Sequence, residues 1–259
     1  MFPAKSGFVK QYYDSTKSVD FLEPLNTSTL AHVKNERPLR IATISACSHN
    51  RESITQTALS FIGSDRISLG CGGGVDKILV VGGNNKKTKS YSNLSSVDAI
   101  KFVSEALRDC HSHSSLHDQV WAVSDPNVKS NSDLELVLRK MDAGASGIIT
   151  QPFLLSRSFT NFEKYPDDMD YIVGVPFPRT SKSLEFWAGL LGPENLEIYN
   201  DDLFLRHMKH FESGKDSYNW VISYINHILN CFGDRVKGLH FMPISNTKDL
   251  ISLFNTTTS

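Results

Sequence analysis

Gln151 is the side chain best placed to do chemistry in this sequence. It follows the short apolar run Gly147-Ile148-Ile149-Thr150, which halts at Gln151-Pro152. Just upstream, Asp142-Ala143-Gly144-Ala145 closes a helical pattern. A helix that gives way at once to a buried strand is the repeating step of a parallel α/β protein. In such folds ligands bind at the C-terminal tips of the strands. An amide at that position both donates and accepts hydrogen bonds, which suits it to a polar ligand. The plainer role is to satisfy loop backbone. Gly82 and Gly83 follow a second apolar run, and they either leave room at a strand end or form a simple turn. A third cluster, Cys110 with His111, His113 and His117, has metal-binding residue types. Its spacing fits no zinc pattern and its surroundings are Ser-rich, so no metal ligand is assigned.

The elements that would position these groups alternate along the chain. Apolar runs at residues 39–45, 77–81, 119–123, 147–150, 171–175 and 236–241 read as strands. The run Lys77-Ile78-Leu79-Val80-Val81 is continuous, as expected of a strand buried on both faces. Helical periodicity covers residues 50–61, 97–107, 133–142, 156–164, 181–191, 201–211, 217–232 and 247–254. Ser132 or Asp133 would cap the helix at 133–142, and Gly192-Pro193 would stop the helix at 181–191. The glycine-rich stretch 64–74 and the polar stretch 85–93 read as loops. No internal repeat and no linker between two cores is visible. The pattern predicts one domain over residues 1–259, an α/β chain with a barrel as the leading fold, and a disordered or irregular segment over 1–16.

Composition narrows the function classes. The 259 residues suit one α/β barrel. Hydrophobic residues at 40% and charged residues at 21% are ordinary for a globular domain. A net charge of -1 gives no electrostatic reason to expect nucleic acid or a membrane surface as partner. No apolar run reaches the roughly 18 residues of a membrane span. The first residues lack the apolar core of a secretory signal. Lys5, Lys10 and Lys17 would suit a mitochondrial presequence, whereas Asp14 and the lack of arginine there argue for the cytoplasm. The four cysteines form no C-x-x-C pair and read as reduced thiols.

Six blocks, in order, resemble the methylenetetrahydrofolate reductases, a family of flavin-dependent (β/α)8 barrels. The stretch MDAGASGIITQPF at 141–153 is similar to that family's AGAD-x-I-I-T-Q-x-F. ISACSHNRESI at 44–54 resembles L-T-C-x-x-H-T-R-E-E-L, and VDKILVVGGNN at 75–85 resembles I-R-N-I-L-A-L-R-G-D. AVSDPNV at 122–128, VGVPFP at 173–178 and VKGLHFMPIS at 236–245 look like further strand ends of the family. The resemblance implies a (β/α)8 barrel in which NAD(P)H reduces FAD and the flavin passes hydride to 5,10-methylenetetrahydrofolate, in one-carbon and methionine metabolism. It implies that Gln151 contacts folate and, alternately, nicotinamide, with Asn84 as a second folate contact. It places Asp133, Arg139 and Lys140 on the FAD ribose and diphosphate, where cations have an electrostatic rationale. Thr43, Gly82, Gly83 and Asn127 fall on further cofactor-side positions. The catalytic acid would be Asp20, or Glu23 with a shifted register. A homo-oligomer is also implied.

The departures from the family are specific. The Arg-Gly-Asp of the second block is Gly82-Gly83-Asn84, so an amide stands where a carboxylate flanks the flavin. Thr43 replaces a flavin-contacting histidine. Met242 and Asn246 replace the tyrosine and arginine of the last strand. The segment before residue 39 holds one stretch resembling a first strand, at 18–25. The mapping then yields seven strands, which makes the barrel incomplete or irregular at its N-terminal strands. The alternative function is therefore a catalytically decayed relative, kept as a folate-binding or subunit-interaction module.

Overall fold

The computed structural model describes residues 40–63, 75–82, 94–110, 119–190, 193–213 and 217–242. The chain divides into two compact units, Glu36–Gly174 and, in the other, Met1–Asn35 with Val175–Ser259. The expected first strand at 18–25, the loops at 64–74 and 85–93, and the closing helix at 247–254 lie outside the described residues.

In the unit Glu36–Gly174, strand and helix alternate. The elements are β1 (Ile41–Ser45), α1 (Arg51–Gly63), β2 (Lys77–Val81), α2 (Ser96–Cys110), β3 (Val120–Ser124), α3 (Ser132–Asp142), β4 (Gly147–Thr150), α4 (Ser156–Glu163) and most of β5 (Asp170–Pro176). β1 to β5 pair in parallel, each with the next in the chain. Within this unit the sheet order is β1-β2-β3-β4-β5, with no reversal. A barrel is wound in this consecutive way, whereas a doubly wound sheet reverses at a switch point. Six strands, not eight, are present among the described residues.

Register sorts the two faces of the sheet, because side chains alternate with period two. Ile44, Ile78, Val80, Ala122, Ile148 and Tyr171 lie on one face and are almost fully buried, under α1, α2 and α3. The other face carries Leu79, Trp121, Ile149 and Ile172, with Ile41, Val81 and Val123 partly buried around them. Gly147 pairs with Trp121. A Cβ at Gly147 would stand 2.5 Å from the Trp121 ring, so only glycine admits the indole there. Gly144 ends α3 with φ +105, a left-handed conformation that an L side chain rarely adopts. α3 itself is capped by Asn131, not by Ser132 or Asp133, and without a side-chain cap bond. Asp133 is engaged elsewhere.

In the other unit, α5 (Ser181–Leu190), a 3-10 segment (Pro193–Asn200), α6 (Asp202–Glu212), α7 (Ser217–Phe232) and β6 (Val236–Met242) follow the end of β5. Asp201 caps α6 by accepting from the Leu203 and Phe204 amides at 3.0 and 3.1 Å. Trp220 stacks on Tyr224, and its indole N–H donates to His207 Nδ1 at 3.2 Å. The 3-10 segment went unforeseen, because Gly192-Pro193 signals a stop and gives no sign of a further turn.

Candidate strand-end site

The tips of β3 and β4 hold a dense polar network. Gln151 N–H donates to Ser124 O at 2.8 Å, which extends the β3–β4 pairing one residue past Ser124 and Thr150. Gln151 lies two residues after Ile149 and so continues the Leu79–Trp121–Ile149 face. Its side chain is partly exposed. Among the described residues, its amide makes no hydrogen bond.

Asp125 follows β3 at the matching height. Its Oδ1 accepts from Asn127 N–H at 3.0 Å and from Asn127 Nδ2 at 2.8 Å, an Asx turn closed twice. Asn127 is 0% exposed. Its Nδ2 also donates to Pro152 O at 2.8 Å. Its Oδ1 accepts from Leu154 N–H at 3.2 Å and Ser158 Oγ at 2.6 Å. The side-chain amide is thus filled on both donors and both lone pairs. The cofactor contact expected of Asn127 has no bonding capacity left to use. It is a structural hub that ties the loop after β3 to the loop after β4.

α4 locks the same loop from outside. Arg157 Nε donates to Asn127 O, and Asn161 Nδ2 donates to Pro126 O and Val128 O at 2.8 and 2.9 Å. Burial pushes the Asp125 carboxyl above the ordinary aspartate range. The two bonds from Asn127 oppose that shift, Asp133 adds to it, and Arg157 opposes it.

Asp133 sits on the first turn of α3 and is buried. Its Oδ1 accepts from Asp125 N–H at 3.1 Å, and its Oδ2 accepts from the Tyr165 hydroxyl. Burial, with the charge of Asp133 beside it, pushes the Tyr165 hydroxyl far above its usual range. Lys140 is 3% exposed and donates to Val123 O at 2.6 Å. Its burial lowers its affinity for a proton, and Asp133 partly restores it. Arg139 is the neighbour of Lys140 in sequence but points away. It is exposed and lines a groove between α2 and α3 with Lys101, Ser104, Glu105, Arg108 and Asp142.

The remaining expected site residues scatter. Thr43 is exposed in the middle of β1, opposite Leu79. Gly82 follows β2, and its carbonyl accepts from Cys47 N–H at 3.2 Å. A Cβ at Gly82 would meet only Ser96 Cβ, at 4.0 Å, so no steric need for glycine is visible. Asp20, Glu23, Gly83 and Asn84 lie outside the described residues, as do His111, His113 and His117. Among the described residues, no three His, Cys, Asp or Glu side chains converge as a metal site, and no helix is long and apolar enough to cross a membrane. The residues expected to hold the FAD diphosphate do not fit that group. Asp133 and Lys140 are buried and bonded within the protein, and Arg139 faces a different groove. Asp125, Arg157 and Tyr165 were not foreseen. The one sequence signal for them is Asp125-Pro126-Asn127 after a strand, which also reads as an ordinary turn.

No protein-family model matches this sequence, so the reductase family that the sequence blocks resemble is not shown by that comparison. No curated protein matches it either. Among solved structures, the chain is similar to an uncharacterized protein from Clostridium thermocellum that binds two copies of 5-methyl-5,6,7,8-tetrahydrofolic acid. The TM-score is 0.55 at 12% identity, over 98% of this chain and 86% of that one. At that identity the likeness is one of fold: an α/β chain whose parallel strands, wound in sequence order, correspond to part of a barrel.

Proposed function

We propose that this protein binds a reduced folate at the C-terminal tips of β3 and β4, the alternative function to which the sequence departures pointed. The observation that carries the reading is the Gln151 amide. It stands at a strand tip, on the face away from the helices, partly exposed and unbonded among the described residues. A pterin ring presents neighbouring donors and acceptors that such an amide can meet. The six sequence blocks and the fold likeness to a methyltetrahydrofolate-binding chain support the same ligand class. Flavin-mediated hydride transfer lacks such support, because Asp133 and Lys140 are bonded within the protein and Arg139 faces another groove.

Titration of the purified protein with 5-methyltetrahydrofolate, followed by calorimetry or tryptophan quenching, tests the reading. Saturable binding is expected. Gln151→Ala should weaken it about tenfold, the cost of one or two ligand hydrogen bonds. No binding by the unsubstituted protein, or equal binding by Gln151→Ala, would overturn it.

A further inference from the structure

The Asp125 carboxylate is held by one oxygen. Oδ1 takes two N–H groups from Asn127, and Asn127 is itself pinned by Pro152, Leu154 and Ser158. The Asp125 backbone N–H is tied to Asp133. This fixes the position of the carboxylate before any ligand arrives. Oδ2 makes no hydrogen bond among the described residues, and the residue is partly exposed. Extending the Ser124–Thr150 register by one residue puts Asp125 beside Gln151. Neighbouring strands lie about 4.8 Å apart, so the two groups can address one heterocycle.

We infer that Asp125 is a specificity-determining residue of this site, whose carboxylate oxygen not held by Asn127 accepts N–H groups from the 2-amino-4-oxopyrimidine edge of the pterin. The inference rests on the folate reading and adds to it the recognition of one ligand edge. An ionised carboxylate only accepts, so it matches the N3–H and 2-amino groups of that edge, which both donate. A charge-assisted bond made by a preordered group is stronger than a neutral one. The contact needs the ionised form. Burial raises the proton affinity of Asp125, so binding weakens as pH falls through a range above that of an ordinary aspartate. The groups that act on this carboxylate are Asp133 from α3, Arg157 from α4, Tyr165 beyond α4, and Asn127 in its own loop.

The test compares 5-methyltetrahydrofolate with its 2-desamino analogue, on the unsubstituted protein and on Asp125→Asn. The unsubstituted protein should bind the analogue at least about tenfold more weakly, since the carboxylate loses a donor. Asp125→Asn should bind 5-methyltetrahydrofolate about tenfold more weakly and lose its preference between the two ligands. Its affinity should also lose the acid-side decline of the unsubstituted protein, a difference that cancels titration of the ligand itself. Equal affinity of the unsubstituted protein for both ligands would overturn the inference while leaving the folate reading standing, and that arm needs no variant to fold. The same preference in both proteins would also overturn it. Failure of the unsubstituted protein to bind either ligand would defeat the folate reading and this inference together.

Discussion

Asn127 and His207 are almost equally buried, at 0% and 2% exposure, yet they belong to networks of opposite kind. Around Asn127, at the tips of β3 and β4, the polar network takes in the carboxylates of Asp125 and Asp133 and the Arg157 guanidinium. The network runs outward, from Asn127 to Asp125 and from Asp133 to Tyr165. Around His207, in the unit holding α6 and α7, burial keeps the two histidines, His207 and His227, neutral. The His207 ring accepts from the Trp220 indole, lies edge-on to it, and neighbours Tyr224. Burial pushes His207 down to about 3, and His227, Arg206 and His210 add to that shift. His227 is pushed down to about 4 by burial and then by Arg206. Buried polarity alone therefore does not mark a site. What separates the two regions is that one of them ends in a fixed, partly exposed carboxylate beside an unsatisfied amide.

Removing the hub is the most direct way to break this contrast. Asn127→Ala deletes two donors and two acceptor positions in a dry environment. It takes one hydrogen bond from each of the Pro152 carbonyl, the Leu154 amide and the Ser158 hydroxyl, and one of the two bonds that hold Asp125 Oδ1. Such a loss costs about 2–4 kcal/mol, since several buried hydrogen bonds of about 1 kcal/mol each go at once. Urea unfolding should show that drop in midpoint. A loss below about 1 kcal/mol would mean that water replaces the amide and that the Asp125 anchor is weaker than argued.

The α6–α7 region should respond to acid instead. Both histidines have folded-state values below the unfolded value of about 6.5. Their contribution to stability is complete above pH 6.5 and is lost as pH falls toward their folded values of about 3 and 4. In that window each neutral histidine should cost about 1.4 kcal/mol per pH unit, because the unfolded chain binds a proton that the folded one refuses. Denaturation midpoints at pH 7 and pH 5 should differ accordingly. Replacing His207 and His227 with glutamine should flatten the slope even where it lowers stability at neutral pH. An unchanged slope in that double variant would place the acid sensitivity elsewhere, with the raised Asp125 excluded, since protonating it favours the fold on lowering the pH.

Much of the architecture was legible in the sequence. Runs such as Lys77–Val81 and Asp170–Pro176 are apolar, short and bounded by turn residues, so their strands fall within a residue or two of expectation. The network was harder to read. Asp133 and Tyr165 are 32 residues apart in the chain, and nothing local links them. Arg139 and Lys140 look equivalent in sequence, but neighbouring residues on a helix project about 100° apart. One therefore reaches the Val123 carbonyl while the other faces a surface groove. Resemblance transferred both as one cradle, and helix geometry separates them. The strand-tip position of Gln151 could be read, because it follows from where the apolar run stops and not from packing. Asp125 could not, because an Asp-Pro-Asn turn looks the same whether its carboxylate closes only the turn or also faces a ligand.

The smallest effect sharpens the contrast most. Gln151→Ala removes an amide that bonds to no described residue, on a partly exposed position whose backbone bond to Ser124 O survives the change. Its unfolding midpoint should move by no more than about 0.5 kcal/mol, as expected of a surface change that breaks no buried contact. A residue that matters for binding and hardly at all for folding is what a ligand contact should be, whereas Asn127 should matter for both, since it holds the loop and the Asp125 carboxylate. If Gln151→Ala instead costs the fold as much as about 2 kcal/mol, its amide bonds to loop backbone outside the described residues. Gln151 would then belong with Asn127 as scaffold, and the ligand edge would rest on Asp125 alone.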